Sequence, residues 1–280
     1  MSRIFIAGAG YVGTVAAQVL SAAGHVVDIG RRTPGAAPGS HAMDVLRPAT
    51  YPAALRDAGC VIYCVSADGF TEEAYRDAYV TGLANVIGAA TTGAARRFLF
   101  VSSTGVFGQD DGSVVDESSP ATPRGFSGRT LLEGEALVAR MPIEAASIRF
   151  SGIYGPGRDR LIRMVRTGAA VSAKSRAAIT NRIHRDDCAR ALAHLVGRPA
   201  IAPLYLGSDE APTPMGEILD WIADRLGVPP PPVGEDSAQV LQRGGNKRIS
   251  SARLRGEGFG FLHPTYREGF AAILAAGSAG

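Results

Sequence analysis

Three groups of residues in this chain are of types, and at spacings, that can do chemistry. The first is the set of glycines in Gly8-Ala9-Gly10-Tyr11-Val12-Gly13, which follows the apolar run Ile4-Phe5-Ile6-Ala7 without a break. At this spacing Gly8 permits a tight turn, Gly10 lets the backbone come against a pyrophosphate, and Gly13 lets a helix pack close to the strand before it. The second is Arg31-Arg32, which follows His25-Val26-Val27-Asp28-Ile29-Gly30. In a dinucleotide site an acidic side chain about 20 residues beyond the glycines accepts hydrogen bonds from a ribose 2′-hydroxyl. Arg31 stands in that place, and a guanidinium there pairs with a 2′-phosphate, with Arg32 able to add bidentate contacts. Asp28 lies inside the strand, three residues short of Arg31. The third group is Ser102-Ser103-Thr104, hydroxyls that can both donate and accept hydrogen bonds to a substrate oxygen. Together they point to NADP, with NAD the weaker alternative, and to a small-molecule substrate beside it.

The elements around these residues are those that such a site needs. Val12, Val15, Ala16, Val19 and Leu20 recur at helical spacing, so a helix with one apolar face follows the glycines and points its N-terminal amides at the phosphates. Further strands are expected at 25–29, 41–45, 59–65, 97–102 and 145–149. Helices are expected at 71–92, with Thr71 as its cap and Glu72-Glu73 in its first turn, and at 127–140. This alternation predicts right-handed βαβ units and an α/β fold, a Rossmann-type doubly wound parallel sheet whose ligand lies at the strand carboxyl ends. On that ground Tyr11 and Val12 join the glycines. Asp44 and Val45 are placed by the adenine, Ser66 and Ala67 by the cofactor ribose, and Ser102, Ser151 and Ile153 complete the cofactor set.

Beyond about residue 157 the alternation loosens. Helices are expected at 161–167, 185–196, 215–226 and 266–275, with a short strand at 204–206. The expected division is a dinucleotide-binding domain over 1–157, rejoined by about 183–207, and a smaller C-terminal substrate-binding lobe from 158–182 and 208–268, followed by a terminal helix and tail, 269–280. The 280 residues suffice for two such lobes. A net charge of +3 without strong clustering argues against nucleic acid. No apolar run nears the roughly 18 residues of a membrane span, and the chain enters a strand at once, so a cytoplasmic protein is expected. Cys60 and Cys64 are read as buried structural thiols, and the histidines show no metal-ligand spacing, so no metal site is expected.

The chain resembles the extended short-chain dehydrogenase/reductase superfamily, the NAD(P)-binding epimerases, dehydratases and reductases of sugar nucleotides and related metabolites. The likeness covers nearly the whole sequence. It rests on Gly-Ala-Gly-Tyr-Val-Gly at 8–13, Val-Ser-Ser-Thr-Gly-Val-Phe-Gly at 101–108, Gly-Arg-x-x-x-Glu-x-Glu at 128–135, Arg-Phe-Ser-Gly-Ile-Tyr-Gly-Pro-Gly at 149–157 and Asn-Arg-Ile-His-Arg-Asp-Asp at 181–187. The resemblance implies a substrate-orienting hydroxyl at Ser103, with Thr104 its neighbour, and a possible homodimer. It also implies a helical Tyr-x-x-x-Lys, whose lysine lowers the tyrosine pKa. This pair is missing: Ser127 aligns with the tyrosine, Leu131 aligns with the lysine, and no Tyr-x-x-x-Lys occurs anywhere.

The chain therefore resembles the atypical members that keep the cofactor motif without the tyrosine. Replacement groups are Tyr154, leaving the sixth strand, and His184, whose position before Asp186-Asp187 is also that of a helix cap. Ser127 could order a water or cap a helix. Two functions fit: an NADP-dependent oxidoreductase or epimerase/dehydratase-like enzyme acting on a carbonyl or hydroxyl of a small polar metabolite, and a catalytically weak NADP-binding regulatory protein.

Overall fold

A computed structural model describes residues 2–36, 39–235 and 245–277. Its contacts divide the chain into two compact units, Met1–Phe107 with Ala121–Phe150 and Cys188–Tyr205, and Gly108–Pro120 with Ser151–Asp187 and Leu206–Gly280.

The first unit is organised by a seven-stranded sheet. Its strands include β1 (Arg3–Ala7), β2 (Val26–Arg31), β3 (Ser40–Ala42), β4 (Cys60–Tyr63) and β5 (Arg97–Ser103). In space the order is β3, β2, β1, β4, β5, then the strands Glu144–Phe150 and Leu204–Gly207. The pairs from β3 across to Glu144–Phe150 are parallel. Ile4 to Ala7 and Val61 to Tyr63 are wholly buried, which is why these strands read as unbroken apolar runs: helices cover both faces. From β1 the chain builds outward through β2 and β3, then returns to the other side of β1 for β4. The topological switch therefore falls at β1, whose carboxyl end carries the glycines.

Two helices frame that edge. Helix α1 (Gly13–Ala22) follows the glycines and buries Gly13, Ala16 and Leu20. The expected helix at 71–92 starts as read, with the Thr71 hydroxyl accepting from Ala74 N at 3.2 Å. It is interrupted, however, by a π turn over Asp77–Thr81. The Tyr63 hydroxyl donates to the Ala78 carbonyl inside this turn. A side chain at Gly82 would strike Val45 and the backbone of Asp77. Arg97 ties the bottom of the sheet to the end of the helix Arg185–Gly197, donating to the carbonyls of Leu195, Val196 and Arg198 at 2.7–2.9 Å. Burial pushes the Cys60 and Cys64 thiols up to about 12, so both are neutral core groups.

The second unit packs the helices Met215–Leu226 and Tyr266–Gly277 around Tyr154, Ile162, Val165 and Phe270. It differs from the expected division in several places, and segments 151–157 and 183–187, expected with the dinucleotide-binding domain, fall in this unit. Segment 108–120 belongs here because its strand Val114–Val115 pairs with Arg248–Ile249. The last helix is a core element of this unit, with Tyr266 and Phe270 buried, rather than an appendage. Among the described residues no helix is long and apolar enough to cross a membrane.

Candidate functional site

Each glycine of the first motif has a distinct physical reason. Gly8 adopts φ +93°, and a Cβ there would lie 2.6 Å from the Cys64 carbonyl. At Gly13 a Cβ would meet the Gly8 carbonyl at 2.4 Å, so only glycine lets α1 start this close to the turn. Gly10 has nothing within 4 Å of its Cβ position. The absence of a side chain there leaves open space, not packing, which is the cradle a pyrophosphate requires. Helix α1 has Val12 at its N-cap, with no side-chain cap and no acid in its first turn, so its positive end is left for an anion. The residues present fit a dinucleotide.

On the adenosine side, β2 ends at Arg31, which is exposed and has no side-chain hydrogen bond or ion pair among the described residues. Asp28 is committed elsewhere: its carboxylate lies 2.8 Å from His41 Nε2. Arg32 makes a bidentate bridge to Asp68, at 2.5 and 2.6 Å. Asp44 and Val45 form a pinned turn, in which the Asp44 carboxylate accepts from Leu46 N and the Val45 carbonyl accepts from Tyr51 and Asn85. The strand expected at 41–45 is shorter, ending at Ala42. Ser66 and Ala67 lie in the loop after β4.

At the end of β5 the three hydroxyls separate in role. Ser103 Oγ accepts from Gly105 N at 3.1 Å and keeps its own proton to donate. Thr104 is buried in the short turn that follows. Ser102 turns the other way and donates to Glu135 at 2.6 Å, so its hydroxyl is not offered to a cofactor. Glu135 is held by Arg149 through both carboxylate oxygens, the closest contact being 2.6 Å, and the Arg149 guanidinium lies 4.8 Å over the Phe107 ring. The sequence reading missed this buried ion pair. Gly128 seats the helix Phe126–Val138 against this turn, since a Cβ there would be 2.9 Å from the Gly105 carbonyl. Ser127 does not cap that helix. Gly125 does, and Ser127 lies within the first turn. Leu131, where the lysine would stand, is buried.

A profile of the NAD dependent epimerase/dehydratase family matches residues 4–203. The chain belongs to that family. A solved structure of a proposed NAD-dependent epimerase/dehydratase from Methylobacillus flagellatus is similar over 99% of both chains, with 38% identity and a TM-score of 0.83. A 3-diazoavenalumate denitrifying reductase from a Streptomyces species is 30% identical over 54% of this chain, and the match spans about half of that relative's length, 53%. The human epimerase family protein SDR39U1, solved with NADPH, is 18% identical over 98% of this chain and 99% of its own, with a TM-score of 0.80, and shares the fold. A nicotinamide dinucleotide is the cofactor type of this family, and the glycine corner is built to receive one.

In the second unit of this epimerase/dehydratase-family chain, the remaining expected residues are interior. Ser151 Oγ lies 3.1 Å from Ser208 Oγ, and its N–H donates to Gly207. Ile153 is half-buried in the ladder that pairs Gly152–Tyr154 with Arg182–His184. Tyr154 packs against Phe270 and His184, and its hydroxyl is closed off from solvent without a partner among the described residues. Burial pushes its pKa well up. A hydroxyl so enclosed cannot reach an open site, which removes Tyr154 from the proton-transfer candidates. His184 is a cap: Nδ1 accepts from Asp186 N at 3.2 Å, and the ring lies 3.9 Å from that of His263. Burial and His263 hold His184 down to about 4, so it is neutral at pH 7. Nearby, Asp209 donates its N–H to the Arg182 carbonyl, and burial raises its carboxyl to about 7.

Proposed function

We propose that the protein is an NADP-dependent oxidoreductase or epimerase/dehydratase-like enzyme acting on a carbonyl or hydroxyl of a small polar metabolite. The observation that carries the cofactor choice is the end of β2, where Arg31 is unpaired among the described residues while Asp28 is held by His41. A free guanidinium at this place favours a 2′-phosphate, and the strand's own acid, Asp28, is engaged by His41. A bound nicotinamide supplies or accepts hydride at the substrate carbon. This chain's own part is to hold the phosphates on α1, to orient the substrate oxygen through the Ser103 hydroxyl, and to position Ser127 beside it. Ser103 keeps a donatable proton, which supports its place as the substrate-orienting group.

The second reading is a regulatory protein that binds NADP with little turnover. It is supported by Ser127 and the buried Leu131, which stand where the resemblance calls for tyrosine and lysine. General acid-base catalysis contributes about 10² to 10⁴ in rate, so its loss slows hydride transfer without abolishing it. The test is binding and turnover together. Arg31→Asp should reduce or reverse the preference for NADPH over NADH, and equal affinities before and after the change defeat the cofactor choice. A carbonyl screen read by NADPH oxidation should yield turnover that falls by about 10- to 100-fold in Ser103→Ala at unchanged NADPH affinity. NADPH binding without turnover on any carbonyl selects the regulatory reading.

A further inference from the structure

The Arg32–Asp68 bridge crosses the mouth of the cofactor corner. In the sheet, β1 lies between β2 and β4, and the three strands end level: Ala7 is in register with Gly30 on one side and with Tyr63 on the other. Gly8 N donates to the Gly30 carbonyl and Cys64 N to the Ala7 carbonyl, so the glycine turn rises from the gap between the two outer strand ends. Arg32 leaves β2 and Asp68 leaves β4, two strand spacings apart, about 10 Å. Their side chains meet in the space above the end of β1. The edge they span is where a doubly wound sheet seats its nucleotide. The pair is exposed, at 65% and 64%, so neither partner is locked by packing. Arg32 also feels the Asp44 carboxylate, whereas Arg31 beside it has no acidic side-chain partner among the described residues.

We propose that Asp68 determines cofactor specificity in this protein, acting as an internal counter-ion that occupies Arg32 and that a 2′-phosphate has to displace. The inference rests on the reading that this corner takes a 2′-phosphorylated dinucleotide, and deepens it. A 2′-phosphate is a stronger bidentate partner for a guanidinium than a solvated surface pair is for itself, so the bridge exchanges when NADPH enters. After the exchange the Asp68 carboxylate is left facing another anion. NADH has nothing to offer Arg32, and leaves the bridge closed. Asp68 therefore narrows the preference for NADPH, and Arg31 supplies the contact that needs no displacement.

The experiment is a double-mutant cycle on nucleotide binding, with the Kd of NADPH and of NADH measured for the native protein, Asp68→Asn, Arg32→Gln and the double variant. Release of an exposed pair is worth about two- to fivefold in Kd, and loss of the carboxylate–phosphate repulsion adds in the same direction. Asp68→Asn should thus tighten NADPH by about three- to tenfold, with NADH changed by less than about twofold, and the gain should shrink as salt screens the pair. With Arg32→Gln in the background only the relief of carboxylate–phosphate repulsion remains, so the same substitution should tighten NADPH by no more than about twofold. Unchanged or weaker NADPH binding in Asp68→Asn overturns the proposal. So does equal tightening of both nucleotides, or a full gain in the absence of Arg32. The cofactor reading fails by a different result, a native protein that takes NADH at least as tightly as NADPH and whose ratio does not respond to Arg31→Asp.

Discussion

At the end of β1 the chain builds a corner from backbone, whereas at the end of β5 it builds one from side chains. The first corner consists of three glycines, a helix end without a side-chain cap and a guanidinium unpaired among the described residues, and its close neighbour from a distant part of the chain is the backbone of Cys64 and Val65 against Gly8. The second is held up from behind by Ser102, Glu135 and Arg149, brought from two strands and a helix, with the Ser103 hydroxyl beside them on the same strand end. A surface made of backbone is preserved by keeping glycines, and tolerates little else. A corner made of side chains can change the residues at its front and still fold, because the supporting pair lies behind it.

The contrast can be broken most strongly at Gly10. A side chain there meets no protein atom, so Gly10→Val should leave the melting temperature within about 2 °C while weakening NADPH binding by 100-fold or more, since it fills the space of the phosphates. Gly13→Ala should behave in the opposite way, lowering stability because its Cβ strikes the Gly8 carbonyl. If Gly10→Val binds NADPH as the native protein does, the backbone corner is not where the cofactor sits.

Next in size is the support behind the other corner. Glu135→Gln leaves the Arg149 charge buried without its partner and should cost about 3–5 kcal/mol in denaturant unfolding. Replacing both, as Glu135→Leu with Arg149→Met, should restore most of that loss. A cost within about 0.5 kcal/mol for the single change would show the pair to be idle.

The smallest effects are in the second unit and depend on pH. The folded state holds His184 at about 4, below its ordinary 6.5, so it binds fewer protons there than the unfolded chain between these values, and stability rises with pH across that window. His184→Asn should flatten this rise. Asp209 has the opposite sign: its folded value of about 7 lies above the ordinary 3.8, so its contribution falls as pH climbs from about 4 to 7. Asp209→Asn should accordingly gain stability relative to the native protein above pH 7. Parallel pH–stability curves for native protein and both variants would count against the buried placement of these groups.

What could be read in the sequence follows the same division between local and distant. The glycine spacing, the arginine ending β2 and the Thr71 cap each depend on neighbours within a few residues, and each is found where the pattern puts it. The π turn at Asp77–Thr81 was hidden because its bond comes from the Tyr63 hydroxyl on another strand. Strand Val114–Val115 was hidden in a polar loop because its partner, Arg248–Ile249, is more than 130 residues away. Ser127 has the chemistry of a cap, yet the chain turns at Gly125 and carries it into the helix. Tyr154 reads as a replacement proton donor leaving the sixth strand. Its ring fills the second unit's core, where Gly269 leaves just enough room for the hydroxyl.

The central claim is that the corner from Gly8 to Gly13, with Arg31 beside it, takes a 2′-phosphorylated nicotinamide dinucleotide. Calorimetric titration of the folded native protein with NADPH and with NADH tests it most directly. The account predicts one site per chain for either nucleotide, with NADPH bound about tenfold or more tightly, the scale of one charge-assisted guanidinium–phosphate contact. Absence of heat with both nucleotides, or tighter binding of NADH, would contradict it.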